Sequence, residues 1–282
     1  MNLSKTLIVS HDAGGAFLLS KWCRDWASKI DFVYCLKGPA IDIFMDVLPL
    51  LEYSEYSQWD GIKRVITSTG WQTSFELMAI KEAREKEIYT VSYLDHWANY
   101  GSRFLMNNRQ YLPDEIWVAD KEAKLIAKKE FLNKSITYRY IRNRHLSDLK
   151  RNISRCSFKK KYILICLEPI RTSYSIVKAY DILIKYLIKT YSSNFNIILR
   201  DHPSKSETRI DYLIKGLIRT FDIKISTDSL ENDLARSLCV IGYQSSVLVY
   251  SISLSIPTLS FYPNEIMEPI LPHNKIEYIS RL

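Results

Sequence analysis

The sequence predicts two doubly wound α/β domains in tandem, with a cleft between them. Three observations carry that expectation. Short apolar runs alternate with longer segments of 3.6-residue period, the pattern of repeated β-α units on a parallel sheet. A polar, basic stretch without strand character, "YIRNRHLSDLKRNISRCSFKK", interrupts the alternation between about residues 140 and 160. The 282 residues are 47% hydrophobic, enough for one large core or two medium ones, and two domains is the expectation at this length. The expected domains are residues 1–150 and 151–282.

In the first half the strands expected are "TLIVS", "DFVYCL", "KRVITST", "IYTVSYL" and "EIWVA". The clearest helices between them are "AFLLSKWCRDWASK", "QTSFELMAIKEAREKE" and "DKEAKLIAKKEFL". The second half begins with the strand "KYILICLEP" and the helix "SIVKAYDILIKYLIKTY". It continues through the strand "FNIILRDHP", the helix "RIDYLIKGLIRTF", the strand "DIKIS" and the helix "ENDLARS". The strand "LCVIGYQ", the helix "SSVLVYSISLS" and the strand "PTLSFY" complete it, and the tail "EPILPHNKIEYISRL" shows no closing helix. No short-period repeat or low-complexity tract is visible.

No apolar run approaches the ~18 residues of a membrane span, and no apolar leader follows a positive n-region, so a cytoplasmic protein is expected. Five cysteines (Cys23, Cys35, Cys156, Cys166, Cys239) lack CxxC spacing. Cys35, Cys166 and Cys239 sit in apolar runs where a thiol behaves as a small hydrophobe, so neither a disulfide nor a zinc site is expected. Lys and Arg number 39 against 31 Asp and Glu, a formal net charge of +8. The excess gathers in "KEAKLIAKKEFLNK" and "RCSFKKKY". Such a balance suits phosphorylated substrates, an anionic membrane face or simply a solvated lysine-rich surface. With no recognisable nucleic-acid module, nucleic acid is not an expected partner.

Ligands of open parallel sheets bind beyond the carboxyl ends of the strands, so the residues just after each strand are the candidates. "NIILRDHPSKSE" ends a strand with Arg200, Asp201, His202 and Pro203. Proline fixes the backbone behind His202, whose imidazole can either bond or protonate a phosphate oxygen or merely cap a turn. "LCVIGYQSSVLVYSIS" starts a helix at Ser245 and Ser246, either an anion site or an ordinary N-cap. "LIVSHDAGGAFLLSKW" holds His11, Asp12, Gly14 and Gly15. A glycine turn after a first strand usually cradles phosphate, yet this one carries an acid and no lysine. "VITSTGWQTSFE" offers Thr67, Ser68, Thr69 and Gly70 for hydroxyl or anion contacts, or a solvated turn. "YLDHWANYGSRF" offers Asp95, His96, Trp97 and Arg103. Trp97 could stack on a sugar, His96 is a second acid or base, and Arg103 could pair with a carboxylate or phosphate. "LEPIRTSY" adds Glu168, Arg171 and Thr172 in the second half.

His202-Pro203 after one strand and Ser245-Ser246 at a helix start some forty residues later resemble the HP and SS motifs of bacterial sialyltransferases with the GT-B fold, two Rossmann-like domains. The context "SLENDLARSLCVIGYQSSVLVYSISLSIPTLSFYP" is similar to the nucleotide-binding half of that group, and the likeness covers about residues 160–263. The resemblance implies an inverting, metal-independent glycosyltransferase that moves a sialic-acid-like nonulosonate from a CMP-activated donor to a cell-surface glycan. His202 would then assist departure of CMP. The donor would be held by Ser245 and Ser246 with Pro203, Gly242, Glu168 and Arg171. The family's acidic D/E-D/E-G motif has its nearest match in "HDAGG", where His11 stands in place of the first acid and Ala13 separates Asp12 from Gly14. On that match Asp12 would take the acceptor proton, unless it serves only as the N-cap of the following helix. His11, Gly14, Gly15, Thr69, Asp95, His96, Trp97 and Arg103 would contact acceptor or sugar.

The expected partners are a nucleotide-sugar donor and a glycan or lipid-linked acceptor, with peripheral contact to an anionic membrane at its inner face. No HExxH, GxxxxGK[ST] or DxD-like metal motif occurs, so no metal or other cofactor is expected. The alternatives are a GT-B transferase using CMP-Kdo, a UDP-sugar or CDP-glycerol, and a non-catalytic nucleotide-sugar-binding protein.

Overall fold

The computed structural model describes residues 5–70, 73–154, 159–168, 173–202, 208–262 and 270–279. The chain divides into two compact units, Met1–His145 and Leu146–Leu282. Each is an α/β unit on its own parallel sheet.

The first unit runs β1 (Lys5–Ser10), α1 (Ala13–Trp26), β2 (Asp31–Leu36), α2 (Ala40–Val47), β3 (Tyr53–Ser54), β4 (Ile62–Thr67), α3 (Phe75–Glu85) and β5 (Tyr89–Tyr93). It continues with α4 (Tyr100–Arg103), β6 (Leu105–Met106), β7 (Arg109–Gln110), β8 (Glu115–Val118), α5 (Lys121–Glu130) and β9 (Thr137–Tyr140). Its seven-stranded sheet has the order β3-β2-β1-β4-β5-β8-β9, and its neighbours pair in parallel. β6 and β7 form a separate antiparallel hairpin. Its turn residues Asn107 and Asn108 both have positive φ, 51° and 59°, as a two-residue hairpin turn that follows strand twist demands.

β1 shows why this sheet is covered on both faces. Ile8 faces a core with Leu18, Leu19, Trp22, Leu36 and Phe44. Leu7 and Val9 face the opposite layer with Cys35, Val65, Ala79 and Ala83. Period-2 alternation of large apolar groups thus buries a strand whose sequence reads as one continuous apolar run.

An 11-residue helix, α6 (Arg144–Ser154), occupies the polar junction stretch. The second unit then runs β10 (Tyr162–Cys166), α7 (Ser173–Thr190), β11 (Asn196–Arg200), α8 (Ile210–Leu217), β12 (Asp222–Ile225) and α9 (Leu230–Arg236). β13 (Ser237–Gly242), α10 (Ser246–Ser253), β14 (Thr258–Ser260) and β15 (Glu277–Tyr278) complete it. The six-stranded sheet has the order β12-β11-β10-β13-β14-β15, again parallel throughout. Ile163 and Ile165 pack with Tyr180, Leu183, Leu187, Leu213 and Leu217 in its core.

Both sheets reverse their winding direction at one place, between β1 and β4 in the first unit and between β10 and β13 in the second. Beyond the carboxyl ends of those strand pairs the outgoing loops part, and open α/β sheets bind ligands there. Cys23, Cys35, Cys166 and Cys239 are buried single thiols, and burial pushes Cys166 up to about 12 and Cys239 up to about 11. Cys156 lies outside the described residues. Among the described residues no helix is long and apolar enough to cross a membrane.

Candidate active site

In the first unit the end of β1 turns directly into α1 through His11 and Asp12. Asp12 occupies the N-cap position with extended backbone, but its side chain makes no capping bond. Its Oδ1 instead lies 2.7 Å from Nδ1 of His11. The carboxylate is therefore directed by an imidazole across the turn, and it is 5% exposed. His11 is fixed in turn from behind. A Cβ on Gly38, which has a φ of +54°, would come within 2.8 Å of His11 Nε2. The Phe75 ring stands edge-on at 6.5 Å between centroids.

The neighbouring strand end supplies hydroxyls. Ser10 Oγ and Ser68 Oγ are 2.8 Å apart, and Ser68 donates to Oε1 of Glu76 at 3.0 Å. The same Oε1 accepts the backbone N–H of His11 at 2.8 Å. Glu76, in the first turn of α3, thereby ties the end of β1 to the end of β4. Burial raises its carboxyl above the ordinary range, against its hydrogen bonds and with the Asp12 charge adding to the rise.

Beyond β5 a third carboxylate joins this region. Asp95 Oδ1 accepts from Arg103 Nη1 at 2.6 Å and from Thr69 Oγ1 at 3.2 Å. Arg103 Nη1 also donates to Thr69 Oγ1 at 2.8 Å, so the guanidinium, hydroxyl and carboxylate form a closed triangle. Glycines let the acids approach the backbone. A Cβ on Gly14 would collide with Oδ2 of Asp95, and one on Gly15 with the Ser68 side chain. One on Gly70 would lie 2.9 Å from Cγ of Asp12. His11, Asp12, Gly14, Gly15, Thr69, Asp95 and Arg103 are thus brought together. The backbone of the glycine turn closes on Asp95 and Ser68, and Gly70 of the loop after β4 closes on Asp12.

Trp97 is not presented for stacking. It is 7% exposed, and its indole N–H donates to both carboxylate oxygens of Asp120, at 3.1 and 2.8 Å. His96 lies beside it, with ring centroids 5.6 Å apart.

In the second unit Glu168, just past β10, accepts the backbone N–H of Gln244 at 2.6 Å. This bond bridges the two strand ends at the winding reversal and orients the loop into α10. Ser245 is the N-cap of that helix, its Oγ accepting from Val247 N at 3.3 Å, and Ser246 is the first helical residue. Gly242 has a packing reason of its own, because a Cβ there would sit 3.1 Å from Leu248 Cδ2. After β11, Asp201 Oδ1 accepts both the backbone N–H of His202 and the Thr208 hydroxyl at 3.0 Å. Arg200 points back into the unit, with Nη1 2.6 Å from Oδ2 of the buried Asp233 and 2.8 Å from the carbonyl of Asp228. His202, Ser245 and Ser246 thus occupy two carboxyl-end loops of one sheet. Pro203, Arg171 and Thr172 lie outside the described residues.

Sequence reasoning missed Glu76 as a site residue. An acid in the first turn of a helix is ordinary favourable electrostatics with the helix dipole, so nothing in the string marks it. It missed Gln244 and Ser10, because their partners Glu168 and Ser68 are far away in sequence.

By sequence, no family model and no curated protein matches the chain. By structure, it is similar to UDP-GlcNAc 2-epimerases. The enzyme from Methanocaldococcus jannaschii in complex with UDP-GlcNAc and UDP superposes with a TM-score of 0.69 at 12% identity, over 97% of this chain and 88% of that one. The enzyme from Neisseria meningitidis bound to UDP-GlcNAc gives 0.68 at 12% identity, over 91% and 82%. MnaA of S. aureus with UDP gives 0.66 at 12% identity, over 92% and 79%. The fold is GT-B-like, with two parallel-sheet Rossmann-like units.

This likeness overturns the resemblance to CMP-nonulosonate sialyltransferases and with it the CMP-sugar donor and the transfer of a sialic-acid-like sugar. The physical reason lies in what the motifs do. A histidine at a strand end and a serine pair at a helix start are suited to any phosphate group, and neither distinguishes cytosine from uracil. The two motifs therefore leave base and reaction undetermined.

Proposed function

We propose that the protein is a sugar-nucleotide epimerase that binds a UDP-N-acetylhexosamine and inverts the configuration at C2 of its sugar. The observation that carries the reading is the gathering of Asp12, Glu76 and Asp95 at the strand ends of the first unit, two of them separately partnered, by His11 and by Arg103. Inverting a carbon that bears hydrogen requires a proton to leave one face and another to arrive on the opposite face. Two acid–base groups with different partners suit that task better than the single base of glycosyl transfer. The C2 hydrogen is not flanked by a ring carbonyl, so its loss is easiest when the C1–O bond to UDP breaks with it. Return of UDP and of a proton to the other face restores a sugar nucleotide, and no atom is gained or lost.

The second unit supplies the nucleotide grip in this reading. The hydroxyls of Ser245 and Ser246 and the positive end of the α10 dipole take a phosphate, and His202 adds a donor to it. Glu168 holds the loop in place through Gln244. The structural likeness to enzymes bound to UDP-GlcNAc and UDP supports uridine over cytidine. No metal or redox cofactor is needed for a net isomerisation driven by proton transfer.

Calorimetric titration tests the nucleotide assignment. UDP is expected to bind at least tenfold more tightly than CMP, with Ser246→Ala weakening UDP about tenfold, the value of one charge-assisted phosphate contact. Preference for CMP, or no binding of either, would contradict it.

A further inference from the structure

Glu76 has an asymmetry that the proposed reaction leaves unexplained. The His11 N–H and the Ser68 hydroxyl reach the same oxygen, Oε1, and the other backbone group acting on the carboxyl is the N–H of Glu76 itself. Oε2 is buried and has no hydrogen-bond partner among the described residues. An ionised carboxylate shares its charge between two equivalent oxygens and needs donors on both, whereas a carboxylic acid has one carbonyl oxygen that accepts and one hydroxyl. A bare, half-charged buried oxygen costs more than an unbonded hydroxyl.

The surrounding charges agree. The end of β1 contributes His11 and Asp12, which pair with each other. The loop after β5 contributes Asp95 and Arg103, which also pair. Lys37, at the end of β2, is engaged over the rings of Tyr56 and Phe75, at 5.2 and 5.1 Å. Each of the other two acids in the cluster thus has a cationic or imidazole partner, and a charged Glu76 would add an uncompensated negative charge beside Asp12.

We propose that Glu76 is a positioning residue working as a neutral carboxylic acid, with its carbonyl oxygen holding the His11 N–H and the Ser68 hydroxyl so that Asp12 is aimed by its backbone. This inference rests on the reading of the Asp12 cluster as the acid–base site. The upward displacement of its carboxyl by burial gives the sign of the pH effect. The neutral form persists above the ordinary carboxylate range. Positioning is lost as pH rises through the raised value, and the stability the folded state gains from binding that proton is lost over the same window.

The test compares wild type, Glu76→Gln and Glu76→Ala. Substrate-free carbon-13 NMR of the carboxyl groups, assigned by the resonance missing in Glu76→Gln, is expected to show Glu76 titrating above the ordinary range. With UDP-GlcNAc, wild-type kcat is expected to fall on the alkaline side and that fall to be absent in Glu76→Gln. Glu76→Ala is expected to lose kcat by about tenfold or more with little change in KM, as misplacement of a reacting group does, and Gln to rescue most of that loss. A carboxyl that titrates in the ordinary range, or a folded Glu76→Gln as impaired as Glu76→Ala, would overturn the inference. If wild type does not turn over UDP-GlcNAc, the proposed reaction fails, and the NMR titration by itself decides the inference about Glu76.

Discussion

Asp12 stands where a helix cap is expected and does not cap. Its carboxylate turns to His11 at 2.7 Å, which leaves α1 without a side-chain acceptor at its start and forgoes the ~1 kcal/mol such a bond usually contributes. A residue that gives up local stability for a particular orientation is a candidate for chemistry. Asp12→Asn and Asp95→Asn are therefore each expected to lower kcat by about 100-fold or more while leaving the fold intact by circular dichroism. Gly14→Ala is expected to do the same and also to destabilise by roughly 1–3 kcal/mol, because its Cβ would displace Asp95. Unchanged turnover in all three would remove this cluster from the reaction. The sequence displayed Asp12, Gly14, Asp95 and Arg103 because each follows a readable strand. It could not display Trp97's role, because the indole's partner Asp120 is 23 positions away, and an aromatic in a polar loop reads the same whether it stacks on a sugar or pins a helix start.

At the scale of elements, the loops that carry the site are fastened by buried polar ties rather than by apolar packing alone. Arg200 joins β11 to α9 through Asp233, which also accepts from the Ser226 hydroxyl at 2.6 Å and from Tyr162 at 3.2 Å. Arg200→Met leaves that 2%-exposed carboxylate without its cation, and is expected to destabilise by about 3 kcal/mol. A urea-denaturation midpoint that does not move would show that the tie is dispensable. Strands such as β2, β10 and β11 were legible as apolar runs between breakers. The two-residue strands β3 and β15 were not, since so short a segment has no period. Nor was β9, whose "TYRY" is polar enough to read as connection and is a strand because β8 pairs with it. The junction stretch, expected only to lack strand character, forms the helix α6, in which Leu149 is fully buried and Asp148 pairs with Arg151 one turn on, at 2.7 Å.

At the scale of the molecule, the same construction occurs twice. A parallel sheet reverses its winding once, and the residues with chemical character collect at the carboxyl ends of the strands at and beside that reversal. In the first unit they are carboxylates with imidazole, hydroxyl and guanidinium partners. In the second they are hydroxyls, a histidine and a helix start suited to phosphate. That division was visible in the sequence as a difference between "SHDAGG" and "GYQSSV". The reaction was not, because phosphate-binding loops are shared by enzymes of many chemistries. The most direct test of the central claim is proton NMR of UDP-GlcNAc incubated with the protein in deuterium oxide. The account predicts that the C2 hydrogen is replaced by deuterium while resonances of the C2 epimer appear, both abolished in Asp12→Asn. Retention of the C2 hydrogen with no epimer, in a protein that binds UDP, would contradict it.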